Sequence, residues 1–190
     1  MISLFPEEIF PPGFTYIPDF ISKEEEAQLI KEAEETELHV FNFQGYEAKR
    51  KTASFGYDYS FDKRSLSKGK DIPNQFVWVI EKVAKHLSIP IDQFAELLVT
   101  EYPVGSVINW HRDAPPFDII AGISLNTDCT FRLRPQEKEK QGRKSIISLP
   151  VQRRSLYVML GESRSEWQHS ISPVKSLRYS ISLRTLRNNL

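Results

Sequence analysis

The sequence predicts an α+β fold in which helices come first and a jelly-roll type barrel of about seven or eight strands follows. Three observations carry this. Ser22 followed by Glu25 is a capping box that opens a helical apolar stripe. A second apolar stripe starts behind Pro73. After Pro90 the texture changes to short β-rich runs punctuated by Pro, Gly, Asn and Asp. A chain of 190 residues suits one domain with a sizeable core. The expectation is therefore a single domain over 1–190, with a helical part to about 90 and a barrel from about 91.

The elements follow in order. Ala27, Leu29, Ile30 and Ala33 recur at helical spacing, which predicts a first helix over about 22–37. Phe76, Val77, Ile80, Val83, Ala84 and Leu87 predict a second helix behind Pro73. The strand candidates are AELLVTEY, SVINWH, IIAGISL, CTFRLRP, SIISLP, SLYVML and LRYSISLRTL. No repeat or biased linker divides them.

Charge and composition exclude several classes. Lys plus Arg and Asp plus Glu number 25 each, so the whole molecule has no net field to draw in a polyanion. A local excess runs over 132–154, where Arg132, Arg134, Lys138, Lys140, Arg143, Lys144, Arg153 and Arg154 face only Glu137 and Glu139. That segment reads as a solvated loop or as a phosphate-binding face. The single Cys129 excludes an internal disulfide framework and suits a reducing compartment. The start, MISLFPEEIFPPGF, lacks a basic region and is broken by prolines, so it does not read as a signal peptide. No apolar run reaches the length of a membrane span. A cytoplasmic protein without a membrane partner is expected, and a monomer.

The stretch INWHRDAPPF, 108–117, poses the functional question. His-Arg-Asp matches a kinase catalytic loop, but G-x-G-x-x-G and D-F-G are missing and Asp118 stands where a metal-binding Asn belongs. The other reading is His-x-Asp, a pair of metal ligands. On a strand, His111 and Asp113 would point to one face and reach one point inside a barrel. A third ligand must come from His39, His86 or His169. His39 follows the first helix and suits a plain surface. His86 sits in the last turn of the second helix, where a cation is welcome without any chemistry. His169, in a loop between two strands, is the best placed. Two His and one carboxylate leave open positions on a ferrous ion, although zinc accepts similar ligands.

The strand RYSISLR, 178–184, tips the balance. Period two puts Arg178, Ser180, Ser182 and Arg184 on one face, opposite Tyr179, Ile181 and Leu183. The two arginines stand roughly 20 Å apart by strand rise, and their arms can converge on a small dicarboxylate between them.

With GYDYS at 56–60, EYPVGSVINWHRD at 101–113, AGISL at 121–125, RRSLYVMLGESRSEWQH at 153–169 and RYSISLR, the chain resembles the AlkB family of Fe(II)/2-oxoglutarate-dependent dioxygenases. The resemblance implies a double-stranded β-helix (jelly-roll) core with N-terminal helices packed against it, the part before about 90 serving nucleotide recognition. It implies Fe(II), 2-oxoglutarate and O2, with His111, Asp113 and His169 as iron ligands. Arg178 would bind the distal carboxylate of 2-oxoglutarate, Arg184 would lie by the proximal one, and Tyr102 and Ser180 would complete the co-substrate site. Tyr57 falls where family members touch the substrate nucleotide. Trp110, next to His111, is a candidate to stack on a flipped base, although Trp110 and Trp167 read more readily as core aromatics.

The implied activity is oxidative demethylation, a repair reaction, on alkylated DNA or RNA bases. Alternatives with the same chemistry are a tRNA wobble uridine, a protein side chain or a small molecule. A non-catalytic nucleic-acid-binding barrel is the remaining reading. Two positions depart from the family pattern. Thr100 stands where Asn is frequent, and Pro115 stands where repair members often carry an acidic contact to the damaged base.

Overall fold

The computed structural model describes residues 10–43, 45–60 and 63–187; residues 1–9, which hold most of the start read above as no leader, lie outside them. Helix α1 (Lys23–Glu34) begins at the capping box. Ser22 Oγ accepts from the Glu25 N–H at 3.1 Å, and the Glu25 carboxylate accepts from the Ser22 N–H at 2.7 Å. Helix α2 (Val77–Leu87) follows a 3-10 turn, Asn74–Phe76, and stops at Ser88, which takes the left-handed conformation. His86 sits in its last turn, edge-on to Phe20. His39 is exposed and opens a strand.

The first 90 residues are more than helical, which corrects the expectation. They also hold β1 (Phe14–Ile17), β2 (His39–Phe43), β3 (Tyr46–Ser60) and β4 (Ser65–Lys68). The barrel runs match β5 (Phe94–Tyr102), β6 (Ile108–His111), β7 (Phe117–Leu125), β8 (Cys129–Pro135), β9 (Ile147–Val151), β10 (Leu156–Met159) and β12 (Arg178–Leu186). Between the last two come a short helix, α3 (Gly161–Ser165), and β11 (Trp167–Ile171). His169 therefore lies in a strand and not in the expected loop.

All pairs are antiparallel, in two sheets. The larger runs β1-β10-β7-β12-β5-β3-β2, with β4 on β3, and the smaller runs β6-β11-β8-β9. Residues 51–56 of β3 bond to β5, so the sheet crosses the expected boundary at 90. Strand β12 is central, between β5 and β7, and separates two cores. Tyr179, Ile181 and Leu183 turn outward and pack against Leu29 of α1 and Val79, Ile80 and Val83 of α2. Each such buried aliphatic contributes about 1.5–3 kcal/mol, which is what holds the helices on this face. Between the sheets, Tyr102, Phe117, Ile120, Tyr157 and Met159 meet Phe131, Leu133 and Ile171. Buried Glu26 anchors α1 from the other side, accepting from Arg153 at 2.7 Å and from the Asn126 N–H at 2.9 Å. Among the described residues no helix is long and apolar enough to cross a membrane.

Gly122 on β7 faces the inter-sheet space opposite Tyr157, and a Cβ there would stand 2.3 Å from the tyrosine ring. Gly122→Ala should therefore push the phenol toward the cavity described below. We expect a loss of roughly 1–3 kcal/mol in urea unfolding from overpacking. An unchanged midpoint would show that the ring has room to yield.

Candidate active site

His111, Asp113 and His169 meet between the sheets, their ligating atoms all within 4.8 Å of one another. The register explains the pairing of the histidines. His169 of β11 stands directly opposite His111 at the end of β6, and their ring centroids are 4.2 Å apart. Asp113 lies two residues past His111, just beyond the strand end, so the expected strand periodicity does not position it. Arg164 of α3 does. Its Nη2 donates to the carbonyls of Asp113 at 3.2 Å, Ala114 at 2.7 Å and Phe117 at 2.9 Å, which fixes the turn that carries the carboxylate.

The three groups have the protonation states a cation needs. His111 Nδ1 lies 2.8 Å from the Asn109 carbonyl, which can only accept, so Nδ1 carries the proton and Nε2 keeps the free lone pair. Burial pulls the His111 imidazole down and pushes that of His169 down to about 3, where it stacks on Phe131 at 5.3 Å. Burial raises the Asp113 carboxyl, but the groups around it, Arg184 first and then His169, His111 and Arg164, together outweigh this and hold it well below the usual carboxylate range. Asp113 Oδ1 accepts from Arg184 Nε at 3.1 Å and Nη2 at 2.8 Å, while its buried Oδ2 has no hydrogen-bond partner. Two neutral imidazoles, one ionised carboxylate and an orphaned oxygen aimed at the same point fit a divalent cation.

Arg184 and Arg178 occupy the inner face of β12 but do not form the equal clamp expected from their spacing. The Arg184 fork is committed to Asp113 and, through Nη1 at 2.6 Å, to the buried Glu96. Glu96 is braced in turn by Ser54 Oγ at 2.8 Å. Arg178 is 1% exposed. Its Nε donates to Ser124 Oγ at 3.1 Å, its guanidinium lies 4.7 Å from the centre of the Tyr102 ring, and Nη1 has no partner. Ser180 Oγ is 3.4 Å from the Tyr102 hydroxyl. A buried guanidinium with an unpartnered Nη1 beside two hydroxyls has the chemistry to receive a carboxylate.

The triad opens into a cavity of about 830 Å³ whose walls include Thr100, Tyr102, Tyr157 and Arg184, and also Phe41, Arg50 and Tyr59 from β2 and β3. Two expected substrate residues are not among its walls. Tyr57 lines a separate hollow of about 440 Å³ with Lys68 and Asp92. Gly56, at φ +85°, breaks the regular alternation of β3 just before it, and Tyr59 takes the place by the cavity. Trp110 alternates with His111 and so turns outward. Its half-buried ring is covered by the guanidiniums of Arg132 at 5.0 Å and Arg134 at 4.5 Å, so it stands outside both the core and the walls of the cavity. The basic 132–154 segment is not one face either, because Arg153 and Arg154 turn back onto Glu26.

Sequence reasoning missed Glu96, Arg164 and Phe131. Arg164 lay inside the quoted GESRSEWQH run, but its role depends on a turn some fifty residues away in the chain.

A family model of the 2OG-Fe(II) oxygenase superfamily matches residues 13–190. The chain is 32% identical over 177 residues to a Mus musculus protein named tRNA (carboxymethyluridine(34)-5-O)-methyltransferase ALKBH8, covering 88% of this chain and 25% of that protein. It is 28% identical over 224 residues to the Arabidopsis thaliana "Alkylated DNA repair protein ALKBH8 homolog", covering 99% of this chain and 62% of that protein. The chain thus spans about a quarter and under two thirds of these relatives. The solved structure described as OsALKBH1 superposes with a TM-score of 0.73 at 13% identity, covering 95% of this chain and all of that one. A Pseudomonas putida prolyl-4-hydroxylase superposes with a TM-score of 0.62 at 15% identity, over 92% of this chain and 93% of its own. The jelly-roll architecture is shared across both, and the chain belongs to the 2OG-Fe(II) oxygenase superfamily as an AlkB-like dioxygenase that uses Fe(II), 2-oxoglutarate and O2.

Proposed function

We propose that this chain oxidises a C–H bond on the modified base of an RNA nucleotide, a substituted uridine of transfer RNA being the favoured target. His111, Asp113 and His169 would hold the iron, and Arg178, with the hydroxyls of Tyr102 and Ser180, would hold the distal carboxylate of 2-oxoglutarate. Bound there, iron with 2-oxoglutarate and O2 supplies the oxidising power, the keto acid leaving as succinate and carbon dioxide. The protein's own work is placement. Arg184 keeps Asp113 ionised and aimed, Arg164 fixes its turn, and Phe131 with Tyr157 forms an apolar floor that keeps water from the reacting carbon.

The observation that supports a base as substrate is the cavity over the triad. At about 830 Å³ it lies in the range that accepts a co-substrate and a flat ring together. Two further observations favour uridine over a methylated adenine or cytosine. The mouse relative carries a carboxymethyluridine name. Pro115 is exposed and offers no acid to a cationic lesion. A second reading, oxidative demethylation of alkylated DNA or RNA bases, is supported by the name of the Arabidopsis relative.

The test is mass spectrometry of products from anaerobically purified, iron-loaded protein given O2 and a panel of modified oligonucleotides. Gain of one oxygen on a uridine substituent supports the first reading, and loss of a methyl as formaldehyde supports the second. Succinate release that no nucleic acid stimulates, alongside stimulation by a peptide or small molecule, would overturn both.

A further inference from the structure

The basic groups around the cavity are not equivalent. Arg184 has Glu96 and Asp113, Arg164 has three carbonyls, and Lys51, next along β3, has Glu101 at 3.1 Å. Arg178 belongs, in the function proposed above, to the co-substrate. Lys70 also lines the cavity but is exposed and solvated, which leaves Arg50. It is half-buried on β3 and lines the same cavity as His111 and Tyr102. Its guanidinium carbon sits 4.0 Å above the centre of the Phe41 ring, and among the described residues no hydrogen bond or ion pair of Arg50 exists. Burial pulls its guanidinium down, the Tyr102 phenol working the other way, and its charge reaches His111.

A cation stripped of part of its water without a counter-anion is a cost that folding does not recover. Stacking on Phe41 holds the fork flat from one side and leaves its N–H edge free. That edge offers two parallel donors, the geometry that meets the paired oxygens of a carboxylate or phosphate.

We infer that Arg50 is a specificity-determining residue that grips an oxyanion of the substrate nucleotide at the wall of the cavity, either the phosphate flanking the target base or a carboxylate carried on the base. This rests on the nucleic-acid reading above and sharpens it. A fixed positive charge at the wall favours a neutral or acidic base and repels the cationic methylated adenines and cytosines.

The test uses metal-loaded protein with 2-oxoglutarate, without oxygen, and fluorescence anisotropy with single-stranded RNA. The RNAs carry uridine, 5-carboxymethyluridine or its methyl ester at the target, with native or methylphosphonate flanking linkages. Arg50→Ala should weaken binding about tenfold or more, the range for one charge-assisted contact. Arg50→Lys should recover part of it. The slope of log affinity against log salt should fall by about 0.7 if the contact is one phosphate. Arg50→Gln, which keeps the stem over Phe41, guards against misfolding, and its melting temperature is read alongside. Insensitivity of the methylphosphonate RNA to the substitution identifies the phosphate, and loss confined to the free acid identifies the base carboxylate. Both support the inference. If Arg50→Ala and Arg50→Gln bind every RNA as the unaltered protein does, and that protein oxidises RNA, the inference fails and the reading stands. If the unaltered protein neither binds nor oxidises any oligonucleotide, reading and inference fail together.

Discussion

Asp113→Asn should give a folded protein that no longer turns over 2-oxoglutarate. The amide has the shape of the carboxylate, and its oxygen can still accept from Arg184, so the turn held by Arg164 survives. What disappears is the negative charge. The place of Oδ2, the orphaned oxygen facing the two imidazoles, goes to an amide NH2 that has no lone pair to offer a cation, and the site keeps neutral histidines beside a guanidinium. A divalent cation loses its single anionic ligand from the protein. Loss of an outer partner to a metal ligand already costs about 10–100-fold, so removing the ligand charge itself should cost more and take oxygen-dependent succinate release to background. Bound iron, measured on the purified variant, should fall in parallel. Stability should also drop, because Arg184 keeps only Glu96 as a buried counter-charge. Wild-type iron content and turnover in Asp113→Asn, or in His111→Ala, would remove the metal assignment.

Much of this site was legible in the sequence because its parts obey short-range rules. The His-x-Asp spacing and the alternation of RYSISLR are written in neighbouring residues. The structure turns Arg178, Ser180 and Ser182 inward and Tyr179, Ile181 and Leu183 onto the helices, as that alternation implies. The capping box at Ser22 is equally local. What escaped depends on partners far along the chain. Strand β3, with its run of Lys and Arg, has no apolar alternation, and its strand character comes from the ladder with β5. His169 looked like a loop residue because WQHSI is short, yet β6 and β8 pin it on both sides. Trp110 was misjudged because aromatic content says nothing about which face of a strand it takes. Its neighbour His111 decides that. Glu96 was invisible for a related reason: an acid in an apolar strand is explained only once Arg184 is seen across the ladder.

Arg178→Met should move stability and co-substrate binding in opposite directions. The guanidinium is buried, its Nη1 is unpartnered, and its polar contacts among the described residues are the neutral hydroxyls of Ser124 and Tyr102. In the absence of a carboxylate this is a buried cation with hydroxyls around it and no counter-anion, and replacing such groups with apolar residues of similar volume often stabilises by about 1–4 kcal/mol. Methionine matches the length and adapts to irregular space. For a chain of this size each kcal/mol corresponds to about 2–4 °C, so the ligand-free variant should melt several degrees higher. The gain should vanish when 2-oxoglutarate is supplied with a redox-inert divalent metal. The unaltered protein then gains about 2.7 kcal/mol at a hundredfold excess over Kd, whereas the variant gains almost nothing. KM for 2-oxoglutarate should rise by about 30-fold or more, the range for removing one partner of a buried charged contact. A variant that melts lower and still shifts with 2-oxoglutarate would mean that Arg178 is a structural cation and that the keto acid is held elsewhere. Opposite signs in the two melts are not what a purely structural role would produce, because loss of packing lowers both curves together.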